Sequence, residues 1–392
     1  MAEEMERERA ILGVSWNVLL LGIVSFLNDM SSEMIAPVVP AYLTEVLNAG
    51  KLASGSIMGA IESASSLFKV LFGYFSDKFR RRKAFVFTGY ALSTASKALL
   101  AFSRGWLNFL LLRLLDRTGK GIRTAPRDAL IAESSRGKTG KSFGFHRMMD
   151  TLGAVVGPLV AVLLLGALAY LPRETLYRRI FLLSALPGLL SLVIIALLVK
   201  DRGREVKRKI TGVSALRSRP LQLFLVVVAI GTLGRYSYAF TLWKARELGY
   251  TVLQGSVFYA LFNLVYALSA YPVGLYSDRV DKRTLIGIGF LLSALASLFF
   301  ALAEGLVLLL MAFVLYGLHM AVMDTVPRAY MAELAGDHEK GTVIGAYHTV
   351  VGVFAFPASL IAGYLWSAYS LAYSFLFASA MAFMAFLLLL FD

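Results

Sequence analysis

Five basic residues share one face of a helix that the sequence predicts over 106–133. Arg113, Arg117, Lys120, Arg123 and Arg127 fall within an arc of about 120° when successive residues turn by about 100°. Such a row can bind an anionic group, or it can be neutralised by carboxylates on neighbouring helices. Both kinds of chemistry need a cavity or close counter-charges, so the elements around this helix decide between them.

Two acidic residues are candidate counter-charges. Asp29 and Glu33 are four positions apart in an apolar segment, which places both carboxylates on one face of a helix. Acidic side chains are costly in apolar surroundings, so this face is also expected to point into protein or into a cavity.

The composition indicates an integral membrane protein. Of the 392 residues, 58% are hydrophobic and 16% are charged, and the mean hydropathy is +0.69. Soluble domains carry about 25% charged residues, so this chain has too few polar groups to cover a soluble protein. Because the chain contains no Cys, disulfides, thiolate nucleophiles and Cys-based metal centres are excluded.

Apolar stretches of about 20 residues or more, long enough to cross about 30 Å of hydrocarbon, recur along the chain. Numbered as spans 1 to 12, they lie near 14–46, 52–76, 83–103, 106–133, 141–170, 176–199, 220–247, 252–277, 284–303, 306–334, 341–368 and 371–391. Lys and Arg concentrate in the loops on the side of the N-terminus, so we expect both termini in the cytoplasm. The net charge of +14 is then an orientation signal, and no nucleic-acid partner is expected.

The long polar connector 201–219 divides the spans six and six. We predict an N-terminal bundle over 1–200, a basic cytoplasmic linker over 201–219 and a C-terminal bundle over 220–392. Several residues of the first half recur at one constant offset in the second: Gly73, Asp77, Pro126, Arg127 and Gly144 return as Gly274, Asp278, Pro327, Arg328 and Gly345. Six spans bring the chain back to the same side, so the halves are expected to be parallel repeats about an axis normal to the membrane.

Helix geometry places Asp29 of span 1 and Arg113 of span 4 at similar depths, each about 10 Å from the outer edge of the hydrocarbon. A membrane carboxylate beside an arginine can exchange a proton when its solvation and pairing change, which proton coupling requires. We therefore predict that Asp29, Glu33 and Arg113 form a proton-coupling site. The alternative is a structural ion pair that joins spans 1 and 4.

The remaining cations of span 4 leave the charge of a substrate open. Arg117, Lys120 and Arg123 are expected either to clamp an anionic substrate group or to be neutralised by acidic residues such as Asp116.

A polar aromatic face lies in the second half of the chain. Tyr259, Asn263 and Tyr266 occur at i, i+4 and i+7 of span 8, and Tyr236 lies in span 7. This face is expected to contact an amphipathic substrate. The alternative is a place in the interfacial aromatic belt.

Two loops carry a family signature. Residues 73–83 read GYFSDKFRRRK and residues 274–283 read GLYSDRVDKR, and both resemble the GxxxDRxGRR signature of the major facilitator superfamily. Residues 113–119 (RLLDRTG) are similar to the RxxQG motif of that family. Residues 153–161 (GAVVGPLVA) are similar to its GxxxGPxxGG motif, which is frequent in exporters.

The resemblance implies a cytoplasmic gate. In the family the signature Asp pairs with the Arg four residues on, here Asp77 with Arg81. An acidic residue near the inner end of span 4, here Asp128, belongs to the same charged network. Asp278 and Lys282 occupy the corresponding loop of the second half. The alternative role for these residues is that of a topology anchor.

The resemblance also implies an all-α integral membrane protein with twelve transmembrane helices in two pseudo-symmetric six-helix bundles, and a transporter rather than an enzyme. We expect a monomer in the cell membrane that exports a small organic solute in exchange for protons by alternating access. The alternatives are a proton-linked importer or facilitator of an organic anion, a metal-ion transporter, and a non-transporting receptor or lipid-handling protein. The expected partners are the solute, protons and the lipid bilayer, without a cofactor or resident metal.

Overall fold

The computed structural model describes residues 14–76, 82–135, 139–200, 218–277, 279–334 and 340–391, which form α-helices and contain no β-strand. The helices of the first half are α1 (Trp16–Ile35), α2 (Val39–Ala41), α3 (Lys51–Ser76), α4 (Arg82–Leu99), α5 (Trp106–Ser134), α6 (Thr139–Ala167) and α7 (Arg173–Leu197). Those of the second half are α8 (Arg219–Leu233), α9 (Tyr238–Glu247), α10 (Val252–Ser277), α11 (Lys282–Leu302), α12 (Leu306–Leu334), α13 (Lys340–Ala368) and α14 (Leu371–Phe391). The predicted all-α fold is confirmed.

Ten helical segments of the described residues are long and apolar enough to cross a membrane. Spans 2 and 4 also form long helices, α3 and α5, but they are not among these ten. The charged row of α5 lowers its average hydropathy, although its length of 29 residues exceeds what a bilayer requires.

Two spans are interrupted helices. In span 1, α1 ends at Ile35 before Pro37, and the short helix α2 and a π-helical turn over Tyr42–Val46 follow. In span 7, α8 ends at Leu233 and α9 begins at Tyr238, so four residues between them leave the helix. Irregular backbone within a membrane is tolerated where protein or a polar cavity satisfies its hydrogen bonds.

Local sequence sets several helix ends. The hydroxyl of Ser15 accepts a hydrogen bond from the backbone of Val18 and caps α1. Gly249 follows α9 with a φ of 88°, a left-handed conformation that glycine adopts without strain and that commonly ends helices.

The contacts between α-carbons divide the chain into two compact units. The first comprises Met1–Ala36 and Phe68–Arg208, and the second comprises Pro37–Leu67 and Lys209–Asp392. In the first, Val18 of α1, Tyr90 of α4 and Ile131 of α5 belong to one buried apolar cluster. In the second, a larger cluster joins α8, α11, α12, α13 and α14. The division into bundles over 1–200 and 220–392, with 201–219 as a linker, remains a prediction.

Candidate functional site

The carboxylate face of α1 packs against two glycines of α6. A Cβ atom added at Gly153 would come within 3.2 Å of the Cβ of Asp29, and one added at Gly157 within 2.5 Å of the Cβ of Glu33. The same added atom at Gly157 would lie 2.8 Å from the carbonyl oxygen of Met30. The two glycines of the predicted GxxxGP motif therefore let α6 approach α1 at the two acidic residues.

Arg113 pairs with an acidic residue on its own helix. Its guanidinium lies 3.1 Å from a carboxylate oxygen of Asp116, and both side chains are buried. The hydroxyl of Ser93 on α4 donates to the other oxygen of Asp116 at 2.5 Å. These contacts hold the Arg113 side chain on α5 next to Asp116 and Ser93 of α4. The coupling of Arg113 to Asp29 and Glu33 remains a prediction.

Lys97 was not predicted as a site residue, although it belongs to this polar interior. It is fully buried, and its ammonium group donates to the hydroxyl of Ser32 at 3.2 Å and to the side-chain oxygen of Asn28 at 3.4 Å. Both acceptors lie on α1 within three positions of Asp29, whose carboxylate interacts electrostatically with Lys97. The signal in the sequence is a lone lysine within an apolar span, which is a candidate functional residue by default.

Lys120 of α5 is a second lysine that interacts with the acidic residues of α1. It is half-buried and interacts electrostatically with both Asp29 and Glu33. Asp29 therefore interacts electrostatically with both Lys97 of α4 and Lys120 of α5, while Glu33 interacts with Lys120 and Asp116 with Lys97. We refer to Asp29, Glu33, Lys97 and Lys120 as the charged group of the first unit. This group lies against the close contact of α1 with α6.

Arg123 forms the buried part of the predicted substrate row. Its guanidinium lies 4.3 Å over the ring of Tyr90, and its side chain packs against Gly89. Its Nε and one terminal nitrogen are buried and find no hydrogen-bond acceptor among the described residues. The Nε of Arg117, a half-buried residue, is also buried and has no hydrogen-bond acceptor among the described residues.

In the C-terminal part of α5, the charges are paired locally. Arg127 donates to Asp128 at 2.9 Å and to the hydroxyl of Ser25 at 3.3 Å. Ser25 donates to Asp150, which lies 3.7 Å from His146.

The predicted gate is described in part. Asp77, Arg81 and Asp278 lie outside the described residues. Lys282, at the start of α11, pairs with Glu333 of α12 at 2.5 Å.

A similar ion pair lies in the first half. Arg82, at the start of α4, pairs with Glu133 of α5. Both pairs join residues that are 51 positions apart. Each residue of the second pair lies 200 positions after its counterpart, one fewer than the offset of 201 between the repeated residues such as Asp77 and Asp278.

The predicted aromatic face of the second unit is mostly interior. Tyr236, Tyr259 and Asn263 are each 5% exposed, and the amide of Asn263 donates to the backbone of Tyr259. Tyr236 stacks on Tyr316 with ring centres 5.5 Å apart. Tyr266 is half-buried, and its hydroxyl donates to Asp324 at 2.9 Å, so the predicted face contacts a charged residue at this position.

No group of three or more His, Asp or Glu residues in the described part of the chain could hold a metal ion.

Ten helices that could cross a membrane, together with charged residues buried among them, are typical of a polytopic membrane protein. A family model for the Major Facilitator Superfamily matches residues 21–265 and 223–392. An uncharacterized MFS-type transporter of Methanocaldococcus jannaschii is 39% identical over 386 residues, which cover 96% of this chain and 95% of that protein. The chain belongs to the Major Facilitator Superfamily.

Two further similarities are less specific. A multi-drug resistance efflux pump PmrA homolog of Lactococcus lactis subsp. lactis is 26% identical over 174 residues, or 43% of each chain. The crystal structure of the nucleoside transporter NupG superposes with a TM-score of 0.78 and 12% sequence identity, covering 96% of this chain and 98% of that chain. As a member of the Major Facilitator Superfamily, the chain is a membrane transporter of small solutes.

Proposed function

We propose that the protein is a proton-coupled exporter of a small organic solute, in which Asp29 and Glu33 bind and release the proton and Arg113 tunes that exchange. The observation that carries the proposal is the position of both carboxylates within electrostatic range of Lys120 on α5, at the face where α1 meets the glycines of α6. Carboxylates held in a protein interior beside cations change their charge when their solvation changes.

Proton binding would alter the forces on α1. An ionised Asp29 attracts Lys97 and Lys120, whereas a protonated Asp29 leaves both cations without that partner. Because Lys97 is also bonded to Asn28 and Ser32, a change of charge at Asp29 acts on the contact of α1 with α4. Alternating access requires such a link between ion binding and helix packing.

The proposal also includes the direction of transport, the cellular location and the gating residues. The similarity of the span 5 motif to that of exporters and the partial similarity to a relative named as an efflux pump support export. The distribution of Lys and Arg supports an orientation with both termini in the cytoplasm. A monomer in the cell membrane is part of the same proposal. The cytoplasmic gating residues that we propose are Asp77, Arg81, Asp128, Asp278 and Lys282.

The test uses proteoliposomes with an imposed pH gradient and a panel of labelled organic solutes. Asp29→Asn and Glu33→Gln should reduce gradient-driven accumulation by about tenfold or more, equivalent to at least about 1.4 kcal/mol of barrier. Exchange of labelled for unlabelled solute should persist, because it needs no net proton movement. Glu174→Gln, an exposed carboxyl on α7, is the matched control and should transport normally. Transport that ignores the pH gradient and both substitutions contradicts the proposal.

A second candidate function rests on the unsatisfied guanidinium nitrogens of Arg117 and Arg123. Buried donors without acceptors are costly, and an anionic substrate group would supply the missing acceptors. In this case the protein imports an organic anion or facilitates its diffusion, and Lys120 is a further contact of the anion. Replacing Arg117, Lys120 and Arg123 by Gln should then abolish anion binding, and unchanged affinity rules the role out.

A further inference from the structure

Lys97 is a buried cation that has no carboxylate in contact with it. It is 0% exposed and lies in the last turn of α4, within a segment that is long and apolar enough to cross a membrane. Its ammonium group donates to the hydroxyl of Ser32 at 3.2 Å and to the side-chain oxygen of Asn28 at 3.4 Å. Among the described residues, these two neutral oxygens are its hydrogen-bond partners, and it forms no ion pair.

Arg113 shows how the same unit holds a permanent cation. Its side chain is buried like that of Lys97, but its guanidinium lies 3.1 Å from the carboxylate of Asp116. The hydrogen bonds of Lys97 are longer than the length of about 2.7 to 2.9 Å that is typical of a charged donor and a charged acceptor. Burial of an ammonium group with neutral partners alone is costly, and the dipole at the end of α4 offsets only a small part of that cost. The contacts of Lys97 are therefore those of a side chain that need not remain charged.

The two partners of Lys97 suit a neutral amine as well as an ammonium group. The hydroxyl of Ser32 accepts a hydrogen bond from the ammonium group, and after rotation it can donate to the lone pair of the amine. The side-chain oxygen of Asn28 can accept from either form. An arginine at this position would lack the second state, because a guanidinium keeps its proton in proteins.

The face of α1 beside Lys97 offers a route for the proton. Asp29, Ser32 and Glu33 occur at i, i+3 and i+4, so they share a face, and all three are half-buried, whereas Asn28 is 1% exposed. Water can therefore reach the hydroxyl of Ser32 more readily than the amide of Asn28.

Charged groups on two other helices act on Lys97. They are Asp29 on α1 and Arg113, Asp116 and Arg123 on α5. The amide nitrogen of Asn28 lies 3.5 Å from a carboxylate oxygen of Asp29, so Asn28 connects the carboxylate to Lys97 without direct contact between the two charges. On α7, Arg178 is directed to the backbone carbonyls of Ala101 and Ser103 beyond the end of α4.

We propose that Lys97 is a further proton-exchanging residue, which alternates between an ammonium group and a neutral amine while it stays bonded to Asn28 and Ser32. In the release step an N–H bond of the ammonium group breaks, the electron pair remains on Nζ, and the proton passes to water beside Ser32. The part of Lys97 in transport rests on the proposed proton-coupled function, whereas the exchange of its proton does not.

Nitrogen-15 NMR on the full-length protein with labelled lysine side-chain nitrogens tests the proposal, because ammonium and amine nitrogens differ in chemical shift. The useful range is from about pH 5 to 9, in which a lysine in water keeps its proton. Within this range, the wild-type protein should show a lysine nitrogen that changes from the ammonium to the amine shift. If every lysine nitrogen stays at the ammonium shift, the proposal is overturned, and this result does not require that any variant folds.

Four variants assign the signal. Lys97→Met and Lys97→Arg should both remove the change in shift. Lys120→Gln should retain it, which separates Lys97 from the other lysine of the charged group of the first unit, and Lys51→Gln controls for exposed lysines. A change that persists without Lys97, or that disappears in Lys120→Gln or Lys51→Gln, overturns the proposal.

Transport in proteoliposomes tests the part of Lys97 in coupling. Lys97→Arg keeps the positive charge but cannot release a proton, so accumulation driven by a pH gradient should fall by about tenfold or more, while exchange of labelled for unlabelled solute persists. A Lys97→Arg variant that responds to the gradient as the wild-type protein does overturns this part.

Asp29→Asn distinguishes the failure of this proposal from that of the proposed function. The variant should keep the lysine change in shift, because Asp29 is not in contact with Lys97. If Asp29→Asn also transports normally, the role of Asp29 fails and that of Lys97 stands. Loss of the lysine change in Asp29→Asn overturns the assignment of an exchangeable proton to Lys97 itself.

Discussion

Asp281 shows how one charged side chain can stabilise this fold outside the membrane. It precedes α11, and both the backbone N–H and the hydroxyl of Thr284 donate to its carboxylate at 2.9 Å. These hydrogen bonds hold the pKa of Asp281 below its usual value. Because the pKa is depressed on folding, the stabilisation is present above the unfolded pKa of about 3.9 and is lost as the pH falls through the folded pKa.

Removal of this cap should therefore have a pH-dependent cost. We expect Asp281→Ala to lower the free energy of unfolding by about 1 kcal/mol at neutral pH, with a smaller difference from the wild-type protein below about pH 4. Asp281→Ser retains an oxygen that caps the helix but does not titrate, so it serves as the control. Thermal unfolding in detergent across this pH range measures both variants. A cost for Asp281→Ala that is independent of pH would show that the carboxylate charge has no part in the cap.

The charged interior of the first unit could be predicted only in part. The sequence identified Asp29, Glu33 and Arg113 as buried polar residues from their place in apolar spans. It could not select the partner of Arg113, because Asp116 lies on the same helix three positions away and competes with any acid on α1. Pairing depends on side-chain conformation and on the hydroxyl of Ser93, which helical periodicity does not report.

The contact of α1 with α6 depends on small residues at particular positions. Gly157→Ala should destabilise the protein by about 1 to 3 kcal/mol, because the new Cβ meets the backbone of Met30 and the Cβ of Glu33, and neither can move unless the helices separate. Gly144→Ala on the same helix is the control, since nothing lies within 4 Å of its added Cβ. That substitution should be neutral or stabilise by up to about 1 kcal/mol, as replacement of a helical glycine does.

Thermal unfolding of the two variants, together with gradient-driven transport, distinguishes packing from site geometry. If proton coupling depends on the positions of the α1 carboxylates, the Gly157→Ala variant should lose transport activity at temperatures where it remains folded. Equal stability of the Gly144 and Gly157 variants would contradict the close approach of α1 and α6.

Helix interruptions are harder to predict than helices. Pro37 marks the break in span 1, but Pro126, Pro158, Pro187, Pro272, Pro327 and Pro357 all lie inside continuous helices. Span 7 breaks at Gly234–Ser237 without any proline. Neighbouring helices can satisfy the groups that an intramembrane proline frees, so tertiary packing decides whether a span breaks.

The overall architecture was the most predictable feature of the molecule. The hydropathy pattern follows from the span length that a bilayer imposes, and each expected span contains helix in the structure. The constant offset between the halves and the duplicated loop signature indicate the internal repeat. The aromatic face was less accessible to sequence analysis. The i, i+4, i+7 spacing placed Tyr259, Asn263 and Tyr266 on one side of a helix, but only packing could show that the first two are buried.

Similar ion pairs join the start of α4 to α5 and the start of α11 to α12, but they need not contribute equally to stability. Arg82 and Glu133 in the first half have side chains that are 18% and 7% exposed, whereas in the second half Lys282 is 13% exposed and Glu333 is 58% exposed. Solvent screens the second pair more, so a double-mutant cycle with Lys282→Gln and Glu333→Gln should give a coupling of about 0.2 to 1 kcal/mol.

The equivalent cycle with Arg82→Gln and Glu133→Gln should give a coupling above about 1 kcal/mol, because removal of Arg82 leaves a buried carboxylate without its cation. Unfolding of the four variants of each cycle at low and high salt measures both couplings, and salt should weaken the second-half pair more. Equal couplings, or a larger one in the second half, would mean that solvent reaches Glu133 as freely as Glu333. A larger coupling in the first half would show that the ion pair at the start of α4 contributes more to stability than the ion pair at the start of α11.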